Sequence, residues 1–265
     1  MGDSLRLLLR YAGISLRGQM QYRASFWMLA TAHFVNTGIE FAGLWVLFQR
    51  FGSLQGWRLE EVALLYGIVN CAFALAEGVG RGWDVFPGLV RSGGFDRLLL
   101  RPRGTALQVA GAEMQLMRVG RLAQAALVLT WALGKLELWT RPELLLLTLF
   151  CILGGACLFY GLFVLTATAA FWTVEGLEVA NCVTYGGTET AQYPMSIYPR
   201  WFRGIFTFLV PLACIGFLPA QVLLGRTEGW GTLPLWLAPC VGVLFLVVSL
   251  WVWEFGVKRY HSTGS

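Results

Sequence analysis

LLLLTLFCILGGACLFYGLFVLTATAAFW, Leu144–Trp172, runs for 29 residues without a single charged side chain. A stretch of 18 or more apolar residues is long enough to cross the hydrocarbon core of a bilayer as a helix. The rest of the chain agrees with that reading. Of its 265 residues 57% are hydrophobic and 13% charged, and the mean hydropathy is +0.62. A soluble domain carries about a quarter charged residues. The composition therefore excludes an ordinary cytosolic enzyme and a disordered chain. A net charge of +5, from 20 basic and 15 acidic residues, is too small and too scattered for a nucleic-acid partner.

Working outward, five further apolar stretches accompany the fourth one. The spans are placed at about 25–48, 62–80, 111–139, 144–172, 205–224 and 235–255, within a single transmembrane domain covering residues 1–265. The third is ambiguous at its start: only Leu122–Leu133 is cleanly apolar, and Glu113, Arg118 and Arg121 precede it. A helix that begins outside the bilayer and enters near Leu122 avoids burying those charges. The fifth contains Pro211 and Pro219, which a span tolerates when neighbours satisfy the freed backbone. Residues 3–22 read as an amphipathic helix lying on the membrane surface, with Arg6, Arg10 and Arg17 on one face and Leu5, Leu9 and Leu16 on another. A plain cytosolic helix is the alternative. Arg10 and Arg17 break any signal-peptide pattern. The fold class is all-α: six transmembrane helices behind an interfacial helix.

Basic residues orient such a bundle. Thirteen fall on one side: Arg6, Arg10, Arg17, Arg23, Arg81, Arg91, Arg97, Arg101, Arg103, Arg200, Arg203, Lys258 and Arg259. Five fall on the other: Arg50, Arg58, Lys135, Arg141 and Arg226. Both termini are expected in the cytoplasm. Tryptophans such as Trp27, Trp45, Trp57, Trp139 and Trp172 sit near span ends, where amphipathic rings belong.

The chain contains no phosphate-binding GxxxxGK[ST] loop, no HExxH and no GxSxG. Its six cysteines form no CxxC pair, and five lie in apolar runs as small hydrophobes. Polar residues inside the spans are more informative. His33, Asn36, Thr37 and Glu40 share one helical face, and Asn70 and Glu77, seven apart, share another. Such groups must face protein or water rather than lipid. They line a substrate route or bond neighbouring helices; Glu113 and Arg118 join the same candidate set.

Residues 81–103, RGWDVFPGLVRSGGFDRLLLRPR, put five arginines, Asp84 and Asp96 among Val85, Phe86, Leu89, Val90 and Phe95. Apolar anchors rimmed by charge are expected to dock another protein. A basic segment held on anionic headgroups is the alternative.

At this loop the sequence resembles a known family. GGFDRLLLRP (Gly93–Pro102), with RGWD (Arg81–Asp84) before it, is similar to the loop between the second and third spans of bacterial type-2 ABC (ATP-binding cassette) exporter permeases. YPMSIYPRWFRGIFTFLVPLACIGFLPAQVLLG (Tyr193–Gly225) resembles the fifth-span region of the six-span subfamily that includes viologen and multidrug exporter permeases. The resemblance implies a permease subunit in the bacterial cytoplasmic membrane. It would export an amphipathic or hydrophobic compound, such as a drug-like molecule, a peptide or a lipid. ATP and Mg would be bound by a separate ATPase present in two copies, and this chain would hold no cofactor. A second permease, more readily a different one than a copy, would complete the assembly. The coupling role falls by resemblance on Asp84, Phe86, Leu89, Arg91, Phe95, Asp96 and Arg97. A membrane-embedded lipid-modifying enzyme, with Glu40, Glu77 or Glu113 as acid or base, is the rival reading, and an assembly protein without transport is a third.

Overall fold

The computed structural model describes residues 2–173, 177–227 and 232–260. All regular structure among them is helical: α1 (Gly2–Met20), α2 (Arg23–Phe51), α3 (Leu59–Arg91), α4 (Gly94–Leu99), α5 (Thr105–Ala110), α6 (Val119–Lys135), α7 (Pro142–Ala169), α8 (Leu177–Ala191), α9 (Arg200–Gly204), α10 (Phe217–Leu223), α11 (Thr232–Leu237) and α12 (Cys240–Lys258). Local chemistry sets several boundaries. Gly52, at φ +75°, ends α2 with its N–H on the Phe48 carbonyl. The Glu61 carboxylate accepts the Arg58 N–H at 2.9 Å and closes the first turn of α3. Pro142 opens α7, where a missing N–H costs nothing.

α3 is the centre of the bundle. It is buried around its whole circumference from Glu61 to Ala74 and packs against α6 and α7. Close backbone approach supports the rest. A Cβ on Gly242 of α12 would strike the Gly154 carbonyl of α7, and one on Gly120 of α6 would strike the Ala30 carbonyl of α2. Small residues at such crossings let helices meet where lipid supplies no hydrophobic drive.

Among the described residues four helices are long and apolar enough to cross a membrane: α3, Leu116–Lys135, α7 and α12. The bent pair Arg200–Leu209 and Leu212–Leu223 would make a fifth if it crossed as one unit. α2, 29 residues long, is not among them; the polar stripe from His33 to Glu40 lowers its hydropathy.

Three expected boundaries are corrected. The helix carrying the second stretch does not stop at residue 80: α3 continues to Arg91, so most of 81–103 is helix, followed by the short α4. The third does not begin at 111. Residues 112–115 are non-helical, and a single turn, Leu116–Arg118, leads into α6. The fifth, expected at 205–224, is not one helix. It breaks at Val210–Pro211 with a bend of 76°, where Pro211 cannot donate to the turn before it.

Both ends of that bent pair lie at the same end of the bundle. Before it, Tyr193 and Tyr198 line a cavity with Leu47 and Leu54, beside the α2–α3 turn. After it, Arg226 bonds Glu61 in the first turn of α3 at 2.7 Å. Both flanking segments therefore meet the α2–α3 turn, and the pair bends between them. α8 also runs antiparallel to α3 in this region: Tyr185 packs edge to face on Phe73 at 5.6 Å, and Gln192, one residue past its end, bonds Asn70. Arg200 and Arg203 thus belong with Arg226 rather than with the arginines of residues 81–103.

Candidate functional site

One continuous polar network threads the middle of the bundle. Arg118, in the turn before α6, donates from Nη2 to Glu77 Oε1 at 2.9 Å, and its Nη1 lies 3.1 Å from His33 Nδ1 on α2. Arg121, one turn on, faces the other Glu77 oxygen at 4.0 Å. Its Nε and Nη2 donate to Asn70 Oδ1 at 3.1 and 2.8 Å, and its guanidinium lies over the Phe73 ring at 4.5 Å. Asn70 Nδ2 then donates to Gln192 Oε1 at 3.3 Å, and Gln192 Nε2 to Glu189 Oε2 of α8 at 2.7 Å. Nearby, the Tyr66 hydroxyl donates to the Thr37 carbonyl at 2.8 Å, joining α3 to α2.

Helical spacing explains why these groups meet. Asn70 and Glu77 are two turns apart on α3, Arg118 and Arg121 one turn apart, so two anionic or amide groups face two cations in register. Glu77 is 3% exposed. Such a carboxylate needs its partners, because removing one side of a buried pair leaves an uncompensated charge.

The expected set of His33, Asn36, Glu40, Asn70, Glu77, Glu113 and Arg118 is divided by this geometry. His33, Asn70, Glu77 and Arg118 come together. Asn36 bonds Glu40 at 2.9 Å on the exposed face of α2, and Glu40 lines a cavity of about 490 Å³ with Glu189, Tyr193 and Tyr198. Glu113 stands apart, exposed, 3.7 Å from Arg81. Arg118 and Arg121, expected just before the helix enters the membrane near Leu122, are held within the bundle by Glu77 and Asn70. Arg121, Gln192 and Glu189 were absent from the expected set. The spacing of Arg118 and Arg121 was a legible signal; nothing in the sequence joins Gln192 to Asn70, 122 positions away.

The segment 81–103 is also corrected. Phe86 and Phe95 are fully buried, so they are not exposed anchors. They pack edge to face on each other at 5.1 Å, and on Trp253 of α12, Phe171 and Tyr260. Asp84 pairs with Arg81 at 3.5 Å, and with Arg91 and Tyr185 they line a cavity of about 340 Å³. Leu89 and Asp96 are half-buried, whereas Arg91, Arg97, Leu99 and Leu100 face outward.

Among the described residues no group of three or more His, Cys, Asp and Glu side chains is placed to hold a metal ion. The network's chemistry is that of charge held in a low-dielectric interior, suited to clamping helices or meeting a polar group. No curated protein and no solved structure matches the chain. A family model described as ABC-2 family transporter protein matches residues 34–264. With a helical bundle of membrane-spanning composition and that match over most of its length, the chain belongs to the ABC-2 family of membrane transporter proteins.

Proposed function

We propose that this permease is the membrane half of an exporter in a bacterial cytoplasmic membrane. A separate pair of ATPase subunits, which bind ATP and Mg, drives it, and it moves an amphipathic or hydrophobic compound outward. The observation that carries the reading is the uncovered polar face of α2 and α8. Asn36, Glu40 and Glu189 are exposed on it, with the Glu77–Arg118–Arg121 network directly behind. Carboxylates facing lipid at mid-membrane cost several kcal/mol each. A second permease covering this face removes that cost and encloses a polar seam between the two chains. That seam is the substrate route.

The end of the bundle bearing α1 and α4 faces the cytoplasm in this reading, and both termini lie there. ATPase docking falls to the exposed rim of Arg91, Arg97, Leu99 and Leu100, since Phe86 and Phe95 are occupied inside the fold. Leu100 is 85% exposed, and an apolar side chain flanked by arginines is the kind of contact a partner covers.

The test is disulfide cross-linking between permease chains carrying Ile39→Cys, an exposed position on α2, in a cysteine-free background. Cross-linking of the permeases that co-purify with the ATPase, together with ATP-driven transport lost on Glu40→Leu, supports the seam. An un-cross-linked complex that transports normally with Glu40→Leu places the route elsewhere.

A further inference from the structure

The bent pair Arg200–Leu209 and Leu212–Leu223 borders a cavity of about 720 Å³. Ligand clefts run to about 300–1,000 Å³, so the space is sufficient for an acyl chain and part of a headgroup. One flank is α9 and its continuation, presenting Gly204, Thr207 and Phe208; the other presents Cys214, Phe217 and Leu218. The rim is basic: Arg200, Arg203 and Arg226 all line it, and no acidic residue among the described ones does. Arg226 is engaged, bonding Glu61 and lying over the Trp57 ring at 4.8 Å. Arg200 and Arg203 have no acidic partner among the described residues. Trp201 between them is exposed, as are Phe208 and Leu209.

We propose that this cavity binds a bilayer phospholipid with an anionic headgroup. The phosphate lies against Arg200 and Arg203, and an acyl chain lies along Phe208, Phe217 and Leu218. Charge complementarity selects the occupant. Two guanidiniums without an acidic partner among the described residues, three residues apart on one helical turn, present planar donors that suit phosphate. The apolar floor beneath them suits hydrocarbon and offers nothing to a free anion. Trp201 sets the depth, because indole rings settle at the headgroup level. A bent pair that enters and leaves on one side brings its rim to that level while its break reaches inward.

The site is separate from the seam on α2 and α8, so it can be tested apart from transport. The full chain, purified with whatever ATPase subunit accompanies it, is reconstituted in nanodiscs of equal phosphatidylglycerol and phosphatidylcholine. The lipid retained after transfer to detergent is then measured by native mass spectrometry. Phosphatidylglycerol should be retained preferentially, by on the order of fivefold for each arginine that meets the headgroup. Arg200→Gln with Arg203→Gln should abolish the preference, and Arg50→Gln, an exposed arginine away from the cavity, should keep it. Phe208→Ser should lower retention of both lipids. Thermal unfolding of each variant, matched to the native chain, establishes that the fold is intact. Equal retention of the two lipids, or a preference that survives the double substitution, overturns the proposal. So does retention of neither lipid, the result expected if a second permease fills the cavity.

Discussion

Replacing Glu77 by alanine should be the most damaging single change in the interior, and the network shows why. The Glu77 side chain is 4% exposed and the Arg118 side chain 21% exposed, and their charged groups meet at 2.9 Å. Losing one partner of a buried pair costs about 3–5 kcal/mol, chiefly because the other charge is left in a poor solvent. Glu77 serves two arginines, the second at 4.0 Å, so its loss strands both. Arg118→Ala strands less, because Glu77 keeps Arg121; a cost nearer the lower end, about 3 kcal/mol, is expected. The double variant should cost less than the two singles together, with a coupling of about 1–3 kcal/mol. Thermal or denaturant unfolding of purified protein in one detergent, followed by tryptophan fluorescence, gives all four corners of the cycle. Additive losses, or a Glu77→Ala cost below about 1 kcal/mol, would mean that the carboxylate is solvated and the network is not a clamp.

Phe86→Ala should destabilise the permease itself, by about 3–5 kcal/mol, since it empties an aromatic core rather than a docking surface. Unfolding of the chain without its ATPase reads this directly, and native-like stability would restore Phe86 as an anchor. Gly120→Ala should force α6 away from the Ala30 carbonyl, costing about 1–3 kcal/mol of overpacking, measurable by the same unfolding assay. A neutral result would mean that α2 and α6 do not meet there. Ser196→Cys in a cysteine-free background should be labelled by an impermeant reagent from the same side as Ser53→Cys and from the side opposite Ser92→Cys. Labelling of Ser196→Cys together with Ser92→Cys would turn the bent pair back into a spanning helix.

The apolar helices were legible because lipid-facing composition is a one-dimensional property. α7 and α12 lie close to the expected 144–172 and 235–255, and α1 close to 3–22. Helix ends in residues 81–103 were not legible in the same way. Arg81, Asp84 and Arg91 are polar, which suggested a loop, yet they project from one side of a helix whose other side, Trp83, Phe86 and Val90, is core. Polarity marks exposure, and exposure is not the same thing as the end of a helix. The aromatic content of that segment signals a covering partner, and for Phe86 and Phe95 the fold supplies it from within the chain. Phe86 and Phe95 are covered by Trp253 and Tyr260, more than 150 residues later in the chain, and single-sequence reasoning has no access to that contact.

The same limit applies to α8. Its sequence, LEVANCVTYGGTETA, is rich in threonine and glycine, and by hydropathy it reads as a connecting segment. In place, its polarity is largely spent internally. Thr188 and Thr190 donate to the carbonyls four residues back, at 3.1 and 2.8 Å, so their hydroxyls need nothing from lipid. Gly187 lies close to Leu212, letting the bent pair pack on it. Hydropathy measures a residue's welcome in lipid, whereas Thr184, Thr188, Thr190 and Ala191 of this helix are buried against protein and Tyr185 and Glu189 stand on the uncovered side. If α8 is the fifth crossing and the bent pair only enters and returns, the count of crossings stays even. Arg200 and Arg203 then move to the less basic side. That shift narrows the basic asymmetry without reversing it, because the arginines of α1 and of residues 81–103 still dominate one end. The orientation read from charge therefore survives a change in which segment crosses. It rests on the many arginines near α1 and α4 rather than on the fifth span.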